Sequence, residues 1–270
     1  MREVLRVAGA LFVRDMRTAV SYRTGFVLSS LGAVVNIAAV FFLSEALGGS
    51  TAPLLDPYGG SYFGFVIVGV ALTNFMGLGI SGLGGRIREG LMTGTLEYML
   101  LSPNRLAVLL LGSTLWSHAF ALVTIVLYGV IGTFLGMDLE MATAPLALVS
   151  FVLAVISFNA LGLLAASIVI LIKQGDPVTW LVTTASVLLA GVFYPTAVLP
   201  EWLRGLGQLL PLTHALELVR RALLGGEGLG SLWPSLLALT GLTAVFLALG
   251  LWACGAAIRV AQRDGSLSYY

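Results

Sequence analysis

The chain has 270 residues, 58% hydrophobic and 10% charged, with a mean hydropathy of +0.99 and a formal charge of +1. That balance points to an integral membrane domain, because no polar stretch is long enough for a separate soluble one. It also excludes a nucleotide-gripping loop of the Walker type: the single lysine, Lys173, stands in Ile172-Lys173-Gln174-Gly175, not between a glycine run and Ser or Thr. If the protein performs uphill work, its fuel is handled by another polypeptide. The lone Cys254 lies in an apolar run and leaves no intrachain disulfide framework. Met1-Arg2-Glu3-Val4-Leu5-Arg6 is not followed by a short apolar run with a small-residue cleavage site, so targeting is expected through a retained span.

Residues 1–22 read as one unit. Val4, Leu5, Ala8, Leu11, Phe12 and Met16 recur at helical spacing, opposite Arg2, Arg6 and Arg17, as in an amphipathic helix lying at the membrane interface. Residues 23–270 read as a six-span domain. The first span is expected at 24–46, closed by Gly48-Gly49-Ser50 and the turn Asp56-Pro57-Tyr58-Gly59-Gly60. The second, 62–83, carries Gly64, Gly69, Gly77, Gly79, Gly82 and Gly84, which serve either close packing or the flexibility of a moving helix. A charged segment, 86–101, follows, in which Leu91, Met92, Leu96, Tyr98, Met99 and Leu100 suit one face of a short helix. The third span, 106–135, exceeds the roughly 20 residues that hydrocarbon requires, so it tilts or projects.

Asp138 and Glu140 mark the next loop, and the fourth span is expected at 145–172. After the polar turn Lys173–Pro177 comes a fifth at 178–194. Pro195, Pro200 and Pro211 then divide a stretch carrying Glu201, Trp202 and Arg204, too short and polar for a full crossing and suited to a re-entrant hairpin or interfacial helix. In the amphipathic stretch 212–224, the spacings His214–Glu217 and Glu217–Arg221 suit local ion pairs. The last span is expected at 232–257. An even span count puts both termini on one side. If that side is cytoplasmic, eleven of the fourteen basic residues are inside and only Arg204, Arg220 and Arg221 outside, as the positive-inside tendency favours.

Within the spans, Asn36, Asn74, His118 and Asn159 would be costly against lipid and are expected to face another helix or a cavity. No acidic residue occupies a span centre, which leaves an ion-coupled secondary transporter without an obvious coupling site. An intramembrane protease is disfavoured too: the histidines do not form H-E-x-x-H, and Gln174-Gly175-Asp176 lies in a loop without an evident buried second aspartate.

The arrangement Glu89…Gly94-Thr95-Leu96-Glu97…Ser102-Pro103 resembles the permease subunits of type-2 ABC exporters. So do Gly191-Val192-Phe193-Tyr194-Pro195, Leu199-Pro200-Glu201-Trp202-Leu203, Leu210-Pro211-Leu212-Thr213-His214-Ala215 and Arg220-Arg221-Ala222-Leu223-Leu224-Gly225-Gly226. The resemblance covers essentially the whole chain. Ser102-Pro103 stands where many relatives have Thr-Pro, and the proline restraint is kept. It implies an all-α integral membrane fold with six spans, an N-terminal interfacial helix, a cytoplasmic coupling helix and a re-entrant helical hairpin. Arg86, Arg88, Glu89, Leu91, Thr95, Leu96, Glu97 and Met99 would then couple to an ATPase, and Pro195, Pro200, Glu201, Trp202 and Pro211 would form an external gate. The resemblance further implies no catalytic residue or metal, and no cofactor on this chain, ATP and Mg²⁺ being held by two separate ABC ATPase subunits. A second copy or a homologous permease, surrounding membrane lipid and no nucleic acid complete the expected partners. The expected location is the cytoplasmic (inner) membrane of a prokaryote, multi-pass, with both termini cytoplasmic. The apolar spans and the lack of a dense aromatic and acidic track favour a hydrophobic or amphipathic small molecule or lipid as exported cargo, a polysaccharide or glycolipid being the alternative.

Overall fold

Lipid offers no partner for backbone N–H and C=O, so apolar runs of this length satisfy their own hydrogen bonds as helices. The computed structural model describes residues 2–21, 23–47, 52–95, 106–172 and 176–263, and every regular element among them is helical. The helices are α1 (Arg2–Ser21), α2 (Arg23–Leu47), α3 (Ala52–Leu55, continued by a 3-10 turn Asp56–Tyr58), α4 (Tyr62–Met92), α5 (Leu106–Phe134), α6 (Ala144–Ile172), α7 (Asp176–Leu189), α8 (Glu201–Gly207), α9 (Pro211–Leu223) and α10 (Leu229–Arg263). Among the described residues, four segments are long and apolar enough to cross a bilayer: Tyr62–Gly90, Gly112–Phe134, Met141–Ile172 and Leu229–Val260. Leu31–Leu47 in α2 and Thr179–Leu189 in α7 are shorter apolar helices.

Two elements differ from the sequence reading. α4 does not stop near residue 83 but continues to Met92, so Arg86, Arg88 and Glu89 belong to the spanning helix itself and not to a separate short one. Arginine and glutamate are good helix formers, Gly84, Gly85 and Gly90 keep helical backbone, and the helix gives way only before Gly94, at φ 68°. α7 ends at Leu189, short of the expected residue 194. Gly191 takes φ 71°, and a Cβ there would come within 2.6 Å of the Tyr194 carbonyl oxygen, so the chain turns back on itself.

α6 is the central helix, packed against α10, α4 and α9. Its buried face is built from small residues, among them Ser150, Ala154, Ser157, Ala160, Gly162 and Ala166. In lipid, helix association is driven by packing and hydrogen bonds, and small residues let backbones approach. Gly162 meets Gly79 of α4 backbone to backbone, while a Cβ on Gly250 of α10 would come within 2.8 Å of the Ala160 carbonyl oxygen. Ser157 and Thr243 hydroxyls pair across α6 and α10 at 2.6 Å. α1 packs along α5, where Phe12 meets Trp116 edge-on and a Cβ on Gly112 would press Leu11 at 2.8 Å.

The bundle therefore has two chemically distinct ends. One gathers α1, the charged end of α4 and the start of α5. The other gathers the 3-10 turn, the 136–143 loop, α8, α9 and the start of α10.

Candidate functional site: two polar ends and a membrane-depth cleft

At the first end, Arg86 is the hub. Its Nη2 donates to the Ser113 carbonyl at 3.2 Å and pairs with Asp15 of α1 at 3.4 Å, while Nη1 reaches Glu89 at 3.3 Å. Arg14 holds the same aspartate at 2.8 Å. These ties fasten the amphipathic helix to the end of α4, around a cleft of about 680 Å³ between α1, α4 and α5. The Glu89 side chain remains 63% exposed. Thr93 and Thr95 hydroxyls lie 2.8 Å apart across the Gly94 turn. Arg88 lines a different cleft, beside Thr179 and Trp180 of α7. Leu91 belongs to the last turn of α4, whereas Leu96, Glu97 and Met99 lie outside the described residues.

At the other end, Pro195 and Pro211 are buried, while Glu201 and Trp202 on α8 face outward and Pro200 precedes that helix. Arg204 closes the Pro195–Pro200 turn by donating to the carbonyls of Ala197 (2.7 Å) and Leu199 (3.1 Å). Arg221 grips both oxygens of Glu227 at 2.6 Å and one of Glu217 at 3.0 Å; Tyr58 donates to the second Glu217 oxygen at 2.7 Å. The Arg221 hydrogen bond holds Glu227 below the usual carboxylate range and, reciprocally, raises the guanidinium. Burial, reinforced by the neighbouring Glu217 charge, pushes the Tyr58 phenol up. Of the two spacings that suit ion pairs, Glu217–Arg221 forms; His214 instead sets Nε2 2.9 Å from the Gln208 carbonyl oxygen.

Arg220 is 3% exposed and touches no carboxylate among the described residues. Nε donates to the Phe65 carbonyl (3.0 Å), Nη1 to Gly191 (2.9 Å) and Nη2 to Val192 (2.7 Å), with the guanidinium 3.4 Å above the Phe65 ring. Burial lowers it to about 9, still charged at neutral pH. Helical spacing carried a signal for this: Arg220 follows Leu212 by two turns and Leu216 by one and so falls on the apolar stripe of α9, whereas Arg221 falls with Glu217. Asp15, Ser113, Tyr58 and Glu227 had no such signal, since their partners lie far along the chain or beyond a turn.

Of the four polar residues within spans, two meet. Asn159 donates to Val155 O and lies 3.1 Å from His118 Nε2, while His118 Nδ1 is 2.9 Å from Thr114 O. Asn74 is 3.5 Å from the Tyr128 hydroxyl, a partner not anticipated, in a cleft of about 500 Å³ between α4, α5 and α7. Asn74 and Asn36 are both exposed.

A family model described as ABC-2 family transporter protein matches residues 49–252, which takes in all of α3–α9 and most of α10 but neither α1 nor α2. The chain belongs to the ABC-2 transporter family. No curated protein matches it. It is accordingly an ABC-2 type permease, a multi-pass transmembrane component of a family that normally works with ABC ATPase partners.

Proposed function

We propose that this permease is the membrane half of an ATP-driven exporter, paired with a second copy or a homologous permease and with two ATPase subunits that hold ATP and Mg²⁺. The observation that carries the reading is the end of α4: exposed Glu89 stands on the same unbroken helix as the span Tyr62–Gly90. A load applied there by a partner enters the membrane as rigid-body motion. Arg86, Arg88, Glu89, Leu91, Thr95, Leu96, Glu97 and Met99 form the docking segment, apolar residues seating it and charges orienting it. Association of the nucleotide-loaded motors biases the paired permeases from inward-facing to outward-facing.

In this reading the membrane is a prokaryotic inner membrane crossed six times, α2 and α7 being the first and fifth crossings, with both termini cytoplasmic. Pro195, Pro200, Glu201, Trp202 and Pro211 close the outer end. Exposed Asn36 and Asn74 support a pair, because a polar amide on an apolar span is costly against lipid and is relieved by a partner helix or an aqueous route. The cleft beside Asn74, mostly apolar with Tyr128 and Thr183 as hydrogen-bonding groups, suits a hydrophobic or amphipathic small molecule or lipid. Inside-out vesicles containing the permease and its ATPase are expected to accumulate a fluorescent lipid analogue only with Mg-ATP. Accumulation by the permease alone, driven by an ion gradient, would overturn the exporter reading; ATP-dependent uptake of a glycan instead would reassign the cargo.

A further inference from the structure

α7 is tied to α4 at its C-terminal end. Between Thr179 and Thr183 it borders two clefts that it shares with α4, one of about 500 Å³ toward α5 and one of about 430 Å³ toward α6. Gly77 and Ser81 of α4 and Thr183 of α7 line both clefts, and a Cβ built on Gly77 or Gly85 meets nothing within 4 Å. Those glycines leave space beside α7, unlike Gly79, which packs on α6. At the far end the Tyr194 hydroxyl folds the following turn back onto Leu188 O, making helix and turn one unit. Arg220 then joins that unit to α4 through the Gly191, Val192 and Phe65 carbonyls. Gly69 makes the approach possible, since a Cβ there would lie 2.5 Å from Arg220 Nη2 and 2.6 Å from Val192 O.

We propose that Arg220 is a positioning residue for transport: it pins the end of α7 to α4, so that this end is the pivot about which the opposite half of α7 moves between the two clefts. The proposal rests on the permease reading and adds the moving part. Only a guanidinium presents N–H groups in a planar fork able to bridge three carbonyls while lying flat on an aromatic ring; a lysine ammonium is a point donor. The Gly191 and Val192 carbonyls follow the C-terminus of α7, where a positive charge is favoured.

The test uses the full chain with its ATPase in lipid nanodiscs, on a Cys254→Ala background. Spin labels at Ser81→Cys and Thr183→Cys report the α4–α7 distance, and a second pair at Val152→Cys and Val245→Cys serves as an α6–α10 reference. With arginine in place, a narrow α4–α7 distance is expected that shifts when Mg-ATP and vanadate trap the motors. Arg220→Met and Arg220→Lys are both expected to lose the narrow distance and its shift, with ATP hydrolysis and the reference distance kept. An unchanged α4–α7 distance in Arg220→Met, or full rescue by lysine, overturns the proposal. Should Arg220→Met fail to accumulate, Gly69→Ala, which keeps the guanidinium but wedges it from Val192, must broaden the same distance; no broadening refutes the pin. Broadening on loss of arginine without any nucleotide-driven shift in the parent would retain the pin and count against the ATP-driven reading.

Discussion

Gly162 has no room for a methyl group. A Cβ there would run into the Gly79 carbonyl, so Gly162→Ala is expected to force α4 and α6 apart and cost about 1–3 kcal/mol or more by overpacking, outweighing alanine's better helix propensity of about 1 kcal/mol. Gly129→Ala, with nothing within 4 Å of the new methyl, is the matched control and should be neutral or slightly stabilising. Thermal unfolding in detergent checks both. A second residue-scale prediction concerns Glu227. Its folded pKa lies below the ordinary value of 4.5, so its contribution is fully present above that value and disappears as pH falls through the folded pKa. Glu227→Gln should lower stability at neutral pH by about 1–2 kcal/mol, with the gap from wild type closing on acidification. A gap that is constant with pH would show that the carboxylate charge is not the stabilising feature. At this scale the sequence was legible where partners are one turn apart, as with Glu217 and Arg221. It was not where partners are distant: His118 finds Asn159 across two spans, and Arg220 finds the Phe65 carbonyl across the whole fold.

α4 shows the same contrast for elements. Its 31 residues span roughly 46 Å at about 1.5 Å per residue, well beyond a hydrocarbon core of about 30 Å. Hydropathy reads where lipid ends, not where the helix ends, so the charged extension read as a separate short helix and not as a continuation of the span. α7 erred the other way: the apolar run continues beyond Leu189, but Gly191 turns it aside. The reading of α5 and α6 needed little correction, because an apolar run with polar turns at both ends leaves few alternatives. Glu89→Ala combined with Glu97→Ala is expected to lower ATP-dependent transport severalfold while membrane insertion stays normal. Arg86→Ala should act differently. It loosens α1 through lost ties to Asp15 and Ser113, a partly exposed set contributing about 1 kcal/mol or less per ion pair. Comparing ATPase recovery, hydrolysis and transport for both variants separates docking from anchoring, and normal coupling in the double variant would remove the glutamates from the docking segment.

For the whole molecule, charge asymmetry makes the strongest statement: Arg86, Arg88 and the arginines of α1 gather at one end and Arg204, Arg220 and Arg221 at the other. Cysteines placed near Arg88 and Lys173 should label from the cytoplasm, and those near Asp138 and in residues 225–230 from outside. The reverse pattern would invert the molecule and move the docking segment away from any cytosolic motor. The buried guanidinium of Arg220 has a consequence for biogenesis. All three acceptor carbonyls precede it in the chain, so they have already been synthesised when Arg220 leaves the ribosome. A nascent chain whose earlier spans are misplaced would strand a cation with no acceptor, at a cost of several kcal/mol. Arg220 thus makes the seating of α9 conditional on correct insertion of α4, and a fragment beginning after residue 192, though Leu229–Val260 can still enter the membrane, should be degraded faster unless the preceding part is supplied in trans.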